Sequence, residues 1–330
     1  MPPSHRNKRE TRGDENMPPC AGGVRAHDAK DERPIVVTPG VLRRRLPLPQ
    51  PDEAGDKEER GRVLVVGGSP EMPGAIILAA TAALRAGAGK LQLATCRSIA
   101  TQVATNVPES RVFALPETRS GSIALAAAQE LIERASQVQA CVVGPGMVNE
   151  TAVTRLLKKI IPRVEHATLI LDAAALICLA DDAALLHTLR GRAIITPHAG
   201  EMAKITGATK TSIEQEPLES ARRAARELRA VVVLKGRETF IAAPDGTVYS
   251  NRAGNVGLAT SGSGDTLSGI IAGLSARGAA PLQAAVWGVY LHARAGDRLA
   301  RRIGRLGFLA RELLAEIPRL MSELDRKKPL

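Results

Sequence analysis

The sequence predicts an α/β fold with a doubly wound, mostly parallel central sheet and helices on both faces, and three observations predict it. Short, continuous apolar runs alternate with longer Ala- and Leu-rich segments of helical length, as buried parallel strands joined by crossover helices would. Most of those runs end in a polar or glycine-bearing signature, at the strand ends where open α/β sheets bind ligands. The chain of 330 residues is 44% hydrophobic but only 2% aromatic, so it fills a sizeable core with Ala, Val, Leu and Ile.

The elements follow in chain order. Residues 1–34 mix Pro, Gly and charges of both signs without hydrophobic periodicity. Such a segment buries too little apolar area to offset its ordering entropy, so a disordered polar extension is expected, followed by a single domain over 35–330. A second polar stretch, 49–60, leads into the first strong strand at 63–66. Further strands are expected at 91–94, 140–143, 168–171, 193–195 and 231–234. Helices are expected at 75–86, 122–134, 151–161, 174–189 and 217–228. The runs 240–243 and 247–250 flank Pro244-Asp245-Gly246 as a hairpin.

Charge and cysteine usage remove several classes. The formal net charge of +11 is scattered, and few rings are present on which bases would stack, so no nucleic-acid partner is expected. Arg298, Arg301, Arg302 and Arg305 fall along one helical face, read as a solvated surface or a subunit contact. Cys20, Cys96, Cys141 and Cys178 show no metal-like spacing and fit reduced thiols in a reducing compartment. No apolar run reaches the roughly 18 residues of a membrane span, and the N-terminus lacks a signal-peptide core. A cytoplasmic protein without a membrane partner is expected.

The strongest motif is the glycine-rich run from Gly257 to Asp265, which opens a helix whose Leu267, Ile270, Ile271 and Leu274 form an inward stripe. Gly269 and Gly273, one turn apart, permit close packing. Such a turn aims unpaired N–H groups at a negative ligand, so it reads as a phosphate site. A carboxylate at the same helix start repels phosphate unless a metal accompanies it or it has a proton to remove. Asp265 alone fits either a helix cap or a general base, and the density of glycine before it favours the base.

Other nucleotide motifs fail. Gly89-Lys90 is followed by Leu91, which excludes a Walker A loop, and the turn after the first strand lacks GxGxxG, which excludes a redox dinucleotide site. Lys235, Gly236, Arg237, Glu238 and Thr239 offer a cation, a bare backbone and a hydroxyl for a nucleotide's phosphate or ribose; an ordinary surface turn accounts for them equally well. His198 is either a polar substrate contact or structural, and Glu201 suits the first turn of the helix after it.

Taken in order, these loops resemble the ADP-dependent NAD(P)H-hydrate dehydratase family of the ribokinase-like superfamily, from about Arg60 to Ile317. The resemblance rests on Gly67-Gly68-Ser69 with Gly74-Ala75, on 85–89, Pro108-Glu109, Gly144-Pro145-Gly146, Leu171-Asp172, Thr196-Pro197-His198, Lys235-Gly236, the Gly-Ser-Gly-Asp loop, Leu291-His292 and 295–297. It implies that ADP phosphorylates the hydroxyl of hydrated NADH or NADPH and that loss of phosphate restores the reduced cofactor, leaving AMP. It also implies Asp265 as catalytic base and substrate contact, Ala75, Gly146 and His198 as further substrate contacts, and Gly264 with 235–239 as the adenine-nucleotide site. Magnesium, an NAD(P)HX epimerase as functional partner and a homo-oligomer, a tetramer, complete the implication. The chain departs from the family pattern at Ala174 and Ile177, where a carboxylate and an amide are usual, and at Met72-Pro73, Ala199, Ser261 and Ala293. Two other functions use the same loops: an ATP-dependent kinase acting on a vitamin-precursor alcohol, and a nonenzymatic adenine-nucleotide-binding protein.

Overall fold

The structure is a computed structural model that describes residues 33–50 and 60–325. The expected disorder of the N-terminal extension falls almost wholly on residues outside that set.

Among the described residues ten strands form one sheet: β1 (Ile35–Val36), β2 (Arg62–Val66), β3 (Lys90–Cys96), β4 (Ser110–Leu115), β5 (Ala140–Val143), β6 (Thr168–Leu171), β7 (Ala193–Ile195), β8 (Val231–Leu234), β9 (Thr239–Ala242) and β10 (Val248–Asn251). Their spatial order is β1-β10-β9-β8-β7-β6-β5-β2-β3-β4. From β4 to β8 every pairing is parallel, while β9 pairs antiparallel with both β8 and β10. The parallel strands read as unbroken apolar runs because both faces are covered; every residue of β5, β7 and β8 is buried.

The helix that opens at the glycine-rich loop spans Ser263–Ala276 and is buried along nearly its whole length. It lies on helix Pro73–Arg85 at backbone contact: a Cβ on Gly269 would sit 2.1 Å from the Ala79 carbonyl oxygen, and one on Gly273 would sit 2.3 Å from that of Ala83. Larger side chains at either position would push the phosphate loop off its support. Helix Pro281–Arg302 backs the same element and carries the buried Trp287, whose indole N–H donates to the Leu46 carbonyl at 2.6 Å. Cys96, Cys141 and Cys178 are free and buried, acting as small apolar side chains.

The structure corrects the sequence reading at several elements. The edge strand β4 is not among the expected strands; at the end of the sheet it buries only Phe113 and Leu115 fully. Arg111 and Arg134 stack on its Phe113 at 5.0 and 4.1 Å from the ring centre. The helix expected at 174–189 is broken into a 3-10 turn Ala173–Ile177, a short helix Cys178–Asp181 and a second 3-10 stretch Ala183–Leu189. Ala173 enters in the left-handed region and Asp182 leaves helical geometry at φ −152° and ψ 85°. The helix expected at 122–134 starts only at Ala128, after a 3-10 turn Leu125–Ala127. The arginine run does not form one open face: Arg305 lies beyond the helix end. Arg298 and Arg302 pair with the buried Glu316 of helix Ala310–Asp325, and Arg298 also pairs with Glu323.

Candidate active site

The strand order changes direction between β2 and β5, since β2 leads outward to β3 while β5 starts the opposite half. Crevices at such switch points hold ligands. Here the two strand-end loops interlock, with Gly68 N–H donating to the Pro145 carbonyl at 2.8 Å. Gly146 sits at φ +67°, and a Cβ there would lie 2.5 Å from the Met72 carbonyl oxygen and 2.9 Å from the Ala75 Cβ. The structure thus brings together Ala75 and Gly146, which are far apart in sequence. Gly144, at φ +126°, lets the β5 loop reach the Asp172 backbone, where a Cβ would come within 1.8 Å of its carbonyl oxygen.

The glycine-rich loop reaches its helix through Gly262 at φ +84°. The helix starts at Ser263, two residues before the start read from the sequence, so Gly264 and Asp265 both belong to the first turn, whose N–H groups have no intrahelical acceptor. The loop is pinned from behind. The Ser263 hydroxyl hydrogen-bonds His292 Nε2 at 2.9 Å, and burial lowers His292's pKa to about 4, so this imidazole is neutral. Asp297 accepts from Gly254 N–H and Asn255 Nδ2, both at 3.3 Å, while Asn255 Oδ1 accepts from Gly257 N–H at 3.0 Å. Sequence reasoning placed His292 and Asp297 in the family pattern without seeing that they hold the loop, and it missed Asn255. No local spacing links residues 255, 263, 292 and 297.

Lys235 and Asp172 lie in front of Gly264, with Glu201 and Asp265 beside the lysine. Asp172, at the end of β6, is 2% exposed; its Oδ1 accepts from Thr196 Oγ1 at 2.6 Å and from Lys235 Nζ at 3.3 Å. Lys235 Nζ is also 3.8 Å from Glu201 Oε2. Burial works against the ammonium, but Asp172, Glu201 and Asp265 outweigh it and raise its pKa, so Lys235 stays charged. Asp265 is partly exposed and faces this group. Burial, then the charge of Asp172, push its carboxyl up to about 6, against the opposing pull of Lys235 and a backbone hydrogen bond. A carboxyl poised near neutrality beside an anion cradle is suited to accept a proton at physiological pH.

His198 lies beside Lys235 across a backbone bridge and caps helix Ala199–Thr206. Its Nδ1 accepts from Gly200 and Glu201 N–H at 3.0 and 3.2 Å, and Glu201 Oε2 accepts from His198 N–H at 2.8 Å. Since Nδ1 is an acceptor, Nε2 carries the donor hydrogen, and it lies 3.6 Å from Glu201 Oε2. A cleft of about 960 Å³ opens there, lined by His198, Lys235, Gly236, Arg237, Glu238 and Phe240 among others. Thr239 begins β9 and pairs in register with Asn251. Two groups of expected residues therefore form, Ala75 with Gly146 and His198 with Lys235, Gly264 and Asp265. Asp172 joins them, its backbone meeting Gly144 and its side chain meeting Lys235.

A mostly parallel sheet, a glycine-rich helix entrance and a carboxylate in its first turn define a ribokinase-like α/β protein. Among solved structures, a ribokinase-like superfamily protein from Enterococcus faecalis superposes with a TM-score of 0.76 at 26% identity, covering 88% of this chain and 96% of that one. The chain belongs to the NAD(P)H-hydrate dehydratase family, whose sequence model matches residues 63–319. An ADP-dependent (S)-NAD(P)H-hydrate dehydratase from Xanthomonas campestris pv. campestris is 48% identical over 291 residues, covering 88% of this chain and 97% of that protein. A bifunctional NAD(P)H-hydrate repair enzyme from Moorella thermoacetica is 44% identical over 86% of this chain, which spans 53% of that longer protein. An ADP/ATP-dependent NAD(P)H-hydrate dehydratase from Bacillus subtilis, co-crystallised with ATP and Mg2+, superposes with a TM-score of 0.69 at 30% identity, covering 84% of this chain and 95% of that one.

Proposed function

We propose that this chain is a lyase that dehydrates (6S)-NAD(P)H hydrate at the expense of ADP, restoring NAD(P)H and releasing AMP and phosphate. The observation that carries the reading is the meeting of Asp265, Gly264 and Lys235 at one strand-end crevice, in a chain of this family. The hydrate hydroxyl lies against Asp265, with Ala75, Gly146 and His198 as the walls that orient the ring and its amide. ADP lies along 235–239, and the N–H groups at Gly264 hold the phosphoryl group. Asp265 takes the hydroxyl proton as the new oxygen–phosphorus bond forms. The bridging oxygen–phosphorus bond of ADP breaks, and its electron pair leaves with AMP. Phosphate then departs from the ring carbon with the carbon–oxygen bonding pair, and loss of a proton from the neighbouring carbon restores the double bond of the reduced nicotinamide.

Among the described residues no three His, Cys, Asp or Glu side chains converge as a metal cage, and Asp172 is already engaged by Thr196 and Lys235. The donor set therefore does not fit a resident magnesium ion. Magnesium belongs in this reading to the ADP complex, held by phosphate oxygens and water. Residues 35–330 act as one catalytic domain, in a cytoplasmic homo-oligomer working beside an NAD(P)HX epimerase. The bifunctional relatives support a second activity next to this one. Among the described residues no helix is long and apolar enough to cross a membrane.

Recovery of reduced-nicotinamide absorbance from hydrated NADH tests the reading. Recovery with ADP and little with ATP supports it; no recovery with either donor defeats it, and stable phosphorylation of an unrelated alcohol by ATP favours the kinase.

A further inference from the structure

The reaction above leaves one buried carboxylate without a task. Asp172 sits 2% exposed beside an anion-binding helix entrance, a costly place for a negative charge unless a cation accompanies it. That cation is Lys235. Its backbone N–H donates to the Pro197 carbonyl at 2.8 Å, and its ammonium is drawn back over the phosphate loop: a Cβ on Gly264 would lie 3.6 Å from Lys235 Nζ and 3.8 Å from Asp172 Oδ2. Lys235 lines the cleft together with the residues that follow it, Gly236, Arg237 and Glu238. The Lys235 ammonium thus stands at the Gly264 end of that cleft, where phosphoryl transfer occurs.

We infer that Asp172 is the positioning residue that seats the Lys235 ammonium over Gly264, so that Lys235 contacts the phosphoryl group in transit rather than the AMP portion of the nucleotide. The inference rests on the proposed reaction and assigns a place to its cation. Without Lys235, two carboxylates, from Asp172 and Asp265, would face an incoming phosphoryl group. With it, charge developing on the transferred oxygens meets a fixed ammonium that needs no reorganisation. Lys235 moves no proton in this step; Asp265 takes the hydroxyl proton and the bridging oxygen of ADP leaves with AMP.

The same geometry controls the titration of Asp265. The groups around it are Asp172 from the end of β6, the neutral Thr196 from β7, and Lys235 from β8. Glu201 and His198 come from the helix after β7, neutral His292 stands behind Ser263, and its own helix adds N–H groups. Asp172 pushes the Asp265 carboxyl up and Lys235 pulls it down. Removing each charge therefore moves the acid limb of turnover in opposite directions, an outcome that a purely structural role does not produce.

The test combines calorimetric binding of ADP and AMP with kcat against pH for the wild type, Asp172→Asn, Lys235→Met and Lys235→Arg. Lys235→Met is expected to weaken ADP by about tenfold or more and AMP by less than about threefold, because only ADP carries the phosphoryl group that is transferred. Its acid limb should rise, that of Asp172→Asn should fall, and Lys235→Arg should recover part of kcat. Equal weakening of ADP and AMP by Lys235→Met, or acid limbs that move together or not at all, overturns the inference. If Asp172→Asn does not fold, the ADP-to-AMP contrast and the limb of Lys235→Met decide alone. A wild type that binds ADP with this contrast but does not turn over the hydrate refutes the reaction while supporting the placement of Lys235.

Discussion

Replacing Asp265 with Asn should make the protein more stable and nearly inactive, and the gain in stability should depend on pH. In the unfolded chain an aspartate titrates near ~3.9. In the native site burial first, and Asp172 second, raise it to about 6. The native state therefore holds the charged form at a disadvantage that is absent below the unfolded pKa and full above the folded one. A shift of about two units corresponds to about 3 kcal/mol, and water reaching the partly open carboxylate reduces this to about 1–2 kcal/mol. Urea unfolding at pH 7.5 should show Asp265→Asn more stable by that amount, with the difference shrinking towards zero by about pH 4. Turnover should fall by about 10²-fold or more, the usual contribution of a positioned base. A variant that is no more stable than wild type at pH 7.5, or one whose gain is the same at both pH values, refutes this account of the site's electrostatics.

Three further outcomes are expected. Gly146→Ala forces a side chain into the left-handed region and against the Met72 carbonyl, which should cost about 1–3 kcal/mol in chemical denaturation and raise KM for the hydrate more than for ADP. Glu316→Gln leaves Arg298 and Arg302 without their shared carboxylate; because both arginines reach water, a loss of about 1–3 kcal/mol in thermal unfolding with kcat unchanged is expected. His198→Ala removes the cap of helix Ala199–Thr206, for about 1 kcal/mol of stability, and should raise KM for the hydrate.

The parallel strands and the phosphate loop were legible because their signals are local. An unbroken apolar run ended by glycine or a polar residue reports burial on both faces, and the stripe from Leu267 to Leu274 reports a helix there, though in the structure that helix is buried all round. The edge strand carrying Phe113 and the broken segment after Asp172 were not legible. One depends on a neighbouring strand that leaves half of it exposed, and the other on Ala173 taking a left-handed conformation to let Asp172 face Lys235. The residues named for the site were found from motif order, whereas the role of His292 behind Ser263 and the pairing of Asp172 with Lys235 required residues 29 and 63 positions apart to meet. Such contacts leave no periodic trace in a single sequence.

The most direct measurement follows the label from ADP carrying radioactive phosphorus at its β position, in rapid-quench reactions with hydrated NADH. The account predicts labelled phosphate, AMP and regenerated NADH in equal amounts, formed by the wild type and at least about 10²-fold more slowly by Asp265→Asn, with ADP binding largely retained. NADH regenerated without AMP, or an Asp265→Asn variant that keeps the wild-type rate, would contradict it.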